Sequence, residues 1–234
     1  MSDPEFAGEP PAPQVAAPLI QLEPLEARVL GCLVEKAATT PEVYPLTLNA
    51  AHLACNQKTN RDPIMHAELG AVGQALRSLE EKRLVRVAHG ARALRYEHTI
   101  DAALNLQTRS RAVIALLLLR GPQTLAELLT RSERLADFPE AAMLGDTLER
   151  LMARSPPLVV RIGRAPGQRE DRYMHLLCGP VSIEDLAPAR APAHAREDAA
   201  LDEDRLAQLE ARVETLERRV ATLQEKSGGK ESEQ

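Results

Sequence analysis

The sequence has no tryptophan, two phenylalanines and three tyrosines in 234 residues. Its core must be aliphatic, drawn from Leu, Val and Ala, which favours helices over a β-sandwich. Cysteine is scarce as well. Cys32, Cys55 and Cys178 are odd in number, far apart and without metal-type spacing, which excludes a disulfide framework and a zinc site. They read as reduced thiols, with Cys32 and Cys55 on helices. No apolar run reaches the roughly 18 residues of a membrane helix; the longest, residues 112–119, is bracketed by Arg111 and Arg120. The N-terminus lacks a basic stretch followed by an apolar one, so it does not read as a secretory signal. A cytoplasmic location without a membrane partner is expected. A phosphate-binding glycine-rich loop, a nucleophile elbow and a paired-histidine metal motif are all missing. No enzyme, no cofactor and no metal site are therefore expected, with His52 on a helix face or cap and His175 on a strand.

Strong charge of one sign is lacking too. The net charge is −5, but it is unevenly spread. Counting Lys plus Arg against Asp plus Glu, residues 1–23 carry 0 against 4, residues 24–100 carry 10 against 8, residues 101–180 carry 11 against 9, and residues 181–234 carry 8 against 13. Two mildly basic stretches lie between acidic ends. Neither has the field of a strong sequence-independent DNA binder, so any nucleic-acid contact must be local.

What is present is one plan repeated twice: helix, short helix, longer helix, two-stranded hairpin. In the first copy Pro24 suits the opening turn of a helix along which Leu25, Val29, Leu30, Leu33, Val34 and Ala37 recur at helical spacing. Pro41 and Pro45 break it, and Thr47 can cap a short helix carrying Leu48, Ala51 and Cys55. The polar run 56–63 forces a loop. A third helix then turns Leu69, Val72, Leu76 and Leu79 inward, with Arg83 emerging at its end. Residues 84–87 and 93–97 flank the turn formers His89, Gly90, Ala91 and Arg92 as a hairpin. In the second copy residues 112–119 are apolar all round and stop at Gly121-Pro122. Thr124 and Glu127 form a capping-box pattern, Pro139 opens a helix with Leu144, Leu148 and Leu151 inward, and residues 158–164 and 172–177 pair around Pro166-Gly167. Leu76 with Leu79, and Leu148 with Leu151, stand 72 residues apart, the mark of an internal duplication.

The expected fold is mainly α with small β-hairpin wings: two tandem winged-helix domains plus a C-terminal coiled-coil helix. The boundaries are a disordered Ala/Pro-rich tail at 1–22, winged-helix domains at 23–100 and 101–179, a linker at 180–198, a parallel dimeric coiled coil at 199–226 and a disordered tail at 227–234. Three stretches carry a family likeness: residues 25–36 (LEARVLGCLVEK), residues 54–63 (ACNQKTNRDP) and residues 172–176 (RYMHL). Over residues 22 to 178 the chain resembles the bacterial YceH family. That resemblance implies a tandem winged-helix fold and brings no catalytic residue with it.

Two kinds of interaction surface follow. In the C-terminal segment Leu206, Leu209, Val213, Leu216, Val220 and Leu223 are spaced 3, 4, 3, 4 and 3, a coiled-coil seam. β-Branched residues at a with Leu at d favour two parallel strands, and parallel pairing sets Arg205 against Glu210 and Arg212 against Glu217 of the partner. The seam pairs between two copies of the chain or docks on its own chain. For duplex DNA, the expected contacts are Lys58, Thr59, Asn60 and Arg61 before the third helix, Arg77 on it, and Arg86, Arg92 and Arg95 on the hairpin. In the second copy Arg161, Arg164, Arg169 and Arg172 cluster around the turn; they grip phosphate or an acidic partner, or pair with Glu170 and Asp171. The expected function is DNA association or regulation by a dimer, and the alternative is a scaffold whose winged helices bind another protein.

Overall fold

The computed structural model describes residues 20–89, 93–163 and 170–181. The first half comprises helix α1 (Pro24–Thr39), a 3-10 turn (Pro41–Val43), strand β1 (Leu46–Thr47), helix α2 (Leu48–Cys55), helix α3 (Leu69–Glu81) and strands β2 (Val85–His89) and β3 (Leu94–His98). Helix α4 (Ile100–Leu104) leads into the second half: α5 (Thr108–Arg120), β4 (Gln123–Thr124), α6 (Leu125–Ser132), α7 (Ala141–Met152), β5 (Val159–Ile162) and β6 (Arg172–His175). The described residues are mainly helical, with two small antiparallel sheets. The turns at 90–92 and 164–169, the N-terminal tract to residue 19, and residues 182–234 with the expected linker, coil and tail lie outside the described residues.

Each sheet has three strands, in the orders β1-β3-β2 and β4-β6-β5, where two-stranded hairpins were expected. The extra strands β1 and β4 are two residues long, too short for alternation of polar and apolar residues to betray them. Both run straight into a helix whose first turn their threonine caps. Thr47 Oγ1 accepts from the Ala50 N–H at 3.2 Å. Thr124 Oγ1 accepts from the Glu127 N–H at 3.2 Å while the Glu127 carboxylate accepts from the Thr124 N–H at 2.9 Å, the reciprocal pair of a capping box. Helix α4, five residues long, also escaped the sequence pattern.

Leu76 and Leu79 on α3, and Leu148 and Leu151 on α7, are buried, as their spacing predicts. Leu69 is not: as the first residue of α3 it is 41% exposed. Arg83 stands past the end of that helix in the left-handed region, with φ of 58°. Helix α7 begins at Ala141 rather than at Pro139, with Glu140 before it in extended conformation.

Helix α1 departs furthest from expectation. Its periodicity suggests one buried face, yet residues 26–34 are buried all round, because α2 and α3 pack on one side and α5 on the other. The approach of α1 to α5 is close at Gly31. A Cβ there would lie 2.9 Å from the Leu119 side chain and 3.1 Å from Leu118 Cβ. A single hydrophobic cluster consequently runs from Leu22 to Leu177 through both halves. Two backbone bonds cross between them: the Asp62 N–H donates to Leu119 O at 2.9 Å, and the Leu22 N–H donates to Leu177 O at 2.7 Å. Among the described residues no helix is long and apolar enough to cross a membrane.

Candidate nucleic-acid interface

The expected phosphate loop joins α2 to α3, and two of its polar side chains hold it in place. Asn56 is turned back on the chain: its Oδ1 accepts from the Ala67 N–H at 2.8 Å and its Nδ2 donates to Ala67 O at 2.9 Å. His52 Nε2 lies 3.0 Å from the same carbonyl, which accounts for that histidine as a helix-face residue that ties down the loop. Lys58, Thr59 and Asn60 follow and are exposed. Asn60 adopts φ of 61°, a left-handed conformation that asparagine tolerates better than most residues. Its Oδ1 accepts from the Arg120 guanidinium at the end of α5.

Arg61, expected among the DNA contacts, is turned into the protein. Its side chain is fully enclosed, donating from Nε to Ala54 O at 3.0 Å, from Nη1 and Nη2 to the Glu35 carboxylate at 3.1 and 2.6 Å, and from Nη2 to Gln57 Oε1 at 2.9 Å. A guanidinium with its donors spent on a fork of protein oxygens has nothing left for a phosphate. Burial pushes its pKa down, but the Glu35 carboxylate outweighs this and holds it above the ordinary value. Beside it lies a second buried arginine that the sequence reading passed over, Arg28 on α1, which donates to Cys55 O at 3.3 Å and Pro63 O at 2.6 Å. One sign was available: Arg28 is three residues after Leu25 and four before Cys32, on the apolar stripe where a solvated charge does not belong. Cys32 and Cys55 face this pair from α1 and α2, buried and free. The Cys32 side chain and burial together push the Cys55 thiol up, so it stays protonated.

Helix α3 presents Gly70, Ala71, Gln74 and Arg77 to solvent along its first two turns and Glu80 and Glu81 at its end. On the strands, Arg86 is 69% exposed and paired with Glu97, its cross-strand neighbour, at 2.5 Å. Arg95 is half-buried and donates from Nη1 to Pro45 O at 2.7 Å, tying β3 to the segment before β1. Arg92 lies outside the described residues. Lys58, Thr59 and Arg77 are thus exposed, Arg86 is exposed but paired with Glu97, and Asn60 and Arg95 are engaged within the protein.

The second half differs in charge. Its counterpart of α3, helix α7, exposes Asp146 and Glu149. Arg161 bonds to Glu149 Oε1 at 3.2 Å and lies 3.8 Å from Asp171. Arg172 donates to Pro122 O at 2.9 Å and to Glu127 at 3.3 Å. Both arginines of the basic cluster that are described are therefore paired with carboxylates, Arg161 with Glu149 and Asp171 and Arg172 with Glu127. Arg164 and Arg169 lie outside the described residues. His175 is a strand residue, as expected, and 3% exposed; burial pushes its pKa down to about 4.

The class these features define is a mainly helical protein of two like halves on one core, each ending in a small antiparallel sheet. The chain belongs to the family described as "Protein of unknown function, DUF480", whose model matches residues 22–168. It is 50% identical over 211 residues to a UPF0502 protein of Pseudomonas syringae pv. tomato, covering 89% of this chain and 94% of that one. A UPF0502 protein of Mesorhizobium japonicum is 54% identical over 198 residues, covering 82% and 95%, and one of Stenotrophomonas maltophilia is 52% identical over 195 residues, covering 82% and 89%.

Proposed function

We propose that the protein is a non-catalytic, cytoplasmic, DNA-associating regulator built of two winged-helix domains, at 23–100 and 101–179, in which the first domain meets the duplex. The observation that carries this reading is the solvent face of α3. Its first two turns are bare of bulk at Gly70 and Ala71 and then offer Gln74 and Arg77. Small residues let a helix approach the floor of a major groove, and Gln and Arg are the side chains that pair with adenine and guanine edges there. Lys58, on the loop entering the helix, is an exposed cation for a flanking phosphate, and Arg86, on the strand leaving it, would meet another by exchanging Glu97 for it. Glu80 and Glu81 set the polarity of docking, since they keep the end of α3 away from the backbone.

In this reading the heptad seam from Leu206 to Leu223 joins two chains in parallel, and avidity offsets the weak contacts of one domain. Fluorescence anisotropy with a random duplex at several salt concentrations tests it. Affinity about micromolar or tighter at low salt, falling steeply as salt rises, is expected. Lys58→Ala should weaken binding evenly across sequences and flatten the salt slope by about one, while Arg77→Ala should also relax sequence preference. Absence of binding at low salt would overturn the reading.

A second reading has its own observation. The exposed face of α7 carries Asp146 beside Met143, which is 37% exposed, with Glu149 paired to Arg161 and Arg150 next to it, a mixed surface better suited to a protein partner than to DNA. In that case the chain acts as a scaffold, and the DNA titration stays flat.

A further inference from the structure

Between the two halves lies a cleft of about 470 Å³, bounded by the end of α1, the loop through residues 57–60, the last turns of α5 and the end of α6. That volume is within the range of small-molecule sites, roughly 300–1,000 Å³. Leu116, Leu119 and Leu135 supply an apolar floor. The walls are cationic: Lys36, Arg120, Arg131 and Arg134 face two carboxylates, Glu35 and Glu133.

The four cations outnumber the two carboxylates of the lining. Glu35 is committed to Arg61 through two hydrogen bonds and also lies 3.9 Å from Lys36. Arg131 is held by Gln123 Oε1 at 2.8 Å and lies 3.7 Å from Glu127. Arg120 is half-buried with a neutral partner, Asn60, and its pKa is lowered by burial and by the nearby Arg131 and Arg61. Nor do the helix ends need it. The carbonyls of Glu35, Lys36 and Leu117 already accept from Thr39 Oγ1, Thr40 N and Oγ1, and Gly121 N. An anion would complement the remaining positive charge.

The threonines narrow its chemistry. Thr39, Thr40 and Thr130 line the cleft, and each has given its hydroxyl proton to the carbonyl four residues earlier, at 2.9, 3.2 and 3.1 Å. A hydroxyl whose proton is spent can only accept. The cleft therefore combines cationic donors with threonine acceptors from the end of α1 and from α6, beside apolar side chains. The ligand that matches is anionic at one end and rich in hydroxyl donors along its length, with C–H faces between them.

We propose that this cleft binds a phosphorylated sugar, with the phosphate on Arg120 and Arg134 and the sugar hydroxyls on Thr39, Thr40 and Thr130. The proposal is independent of DNA binding and assigns the junction of the halves a ligand of its own.

Isothermal titration of the full chain with ribose 5-phosphate, glucose 6-phosphate and adenosine 5′-monophosphate, each against inorganic phosphate and free ribose, tests it. At least one phosphorylated sugar should bind about tenfold or more tighter than phosphate or ribose alone, since both ends of the ligand are engaged. Arg120→Gln should remove that binding. Arg134→Gln, a substitution at an exposed position, should weaken it with the melting temperature unchanged, which separates lost contact from lost fold. A Thr39→Val, Thr130→Val variant should lose the preference for the sugar phosphate over inorganic phosphate. The proposal is overturned if no phosphorylated sugar binds more tightly than phosphate, or if binding is indifferent to Arg134→Gln and to the threonine pair.

Discussion

The Arg61 guanidinium, enclosed between α1 and α2, ties the Glu35 carboxylate, the Ala54 carbonyl and Gln57 together. Removing one partner of a buried pair leaves the other unpaired, so Arg61→Ala should destabilise the fold by about 3 kcal/mol, measured by urea denaturation at neutral pH. An exposed, phosphate-binding Arg61 would give a change near zero. Its role was not legible in the sequence, since an arginine between Asn60 and Asp62 reads as surface and the partner lies 26 positions away. His175 offers a pH test. It is buried, with no hydrogen-bond partner for Nδ1 among the described residues, and burial lowers its pKa from 6.5 to about 4. The unfolded chain takes up this proton near pH 6.5 and the folded protein refuses it until about pH 4. Stability is therefore complete above 6.5 and falls as pH drops through that window, by about 3 kcal/mol in all. Burial lowers the His98 pKa as well, which adds in the same direction. Denaturant midpoints at pH 7 and 4.5 should differ, and His175→Gln should shrink the difference; an undiminished difference would place the acid sensitivity elsewhere.

At the scale of elements, periodicity and caps read well and close approaches read poorly. The caps at Thr47 and Thr124 and the buried leucines of α3 and α7 all follow from local pattern. Thr124→Ala should cost about 1 kcal/mol, and somewhat more if Glu127 then also loses its hold on Arg172. Gly31 is the opposite case. In a solvated helix Gly→Ala stabilises by about 1 kcal/mol, and nothing in the sequence marks this glycine as special. Here the new methyl group would meet Leu119 and Leu118 at 2.9 to 3.1 Å. The Leu119 tip can shift, but Leu118 Cβ is fixed to the α5 backbone. Gly31→Ala should therefore reverse the usual sign and lower stability by about 1–3 kcal/mol. Thermal melts decide it, and a raised midpoint would mean that the α1–α5 crossing is looser than these distances. The same crossing explains why α1 is buried beyond its apolar stripe, because α5 from the other half covers a second face.

For the whole molecule, the duplication was visible in the leucine pairs 72 residues apart, whereas the fusion of both copies into one core was not, because periodicity reports which face is apolar and never what covers it. A shared core predicts one cooperative unfolding transition. Leu148→Ala in the second half should lower the midpoint reported by probes in either half by the same amount, with a cost of about 3 kcal/mol; two separate transitions would show that the halves fold independently. The bond from Leu22 to the Leu177 carbonyl takes the point further. It brings the start of the first half to the end of the second, a further tie between halves already joined by the chain at α4 and by the packing of α1 on α5. Residues 22 and 177 thus lie side by side. A permuted chain, with those two points linked and a new opening cut between the halves, is therefore expected to keep the same fold.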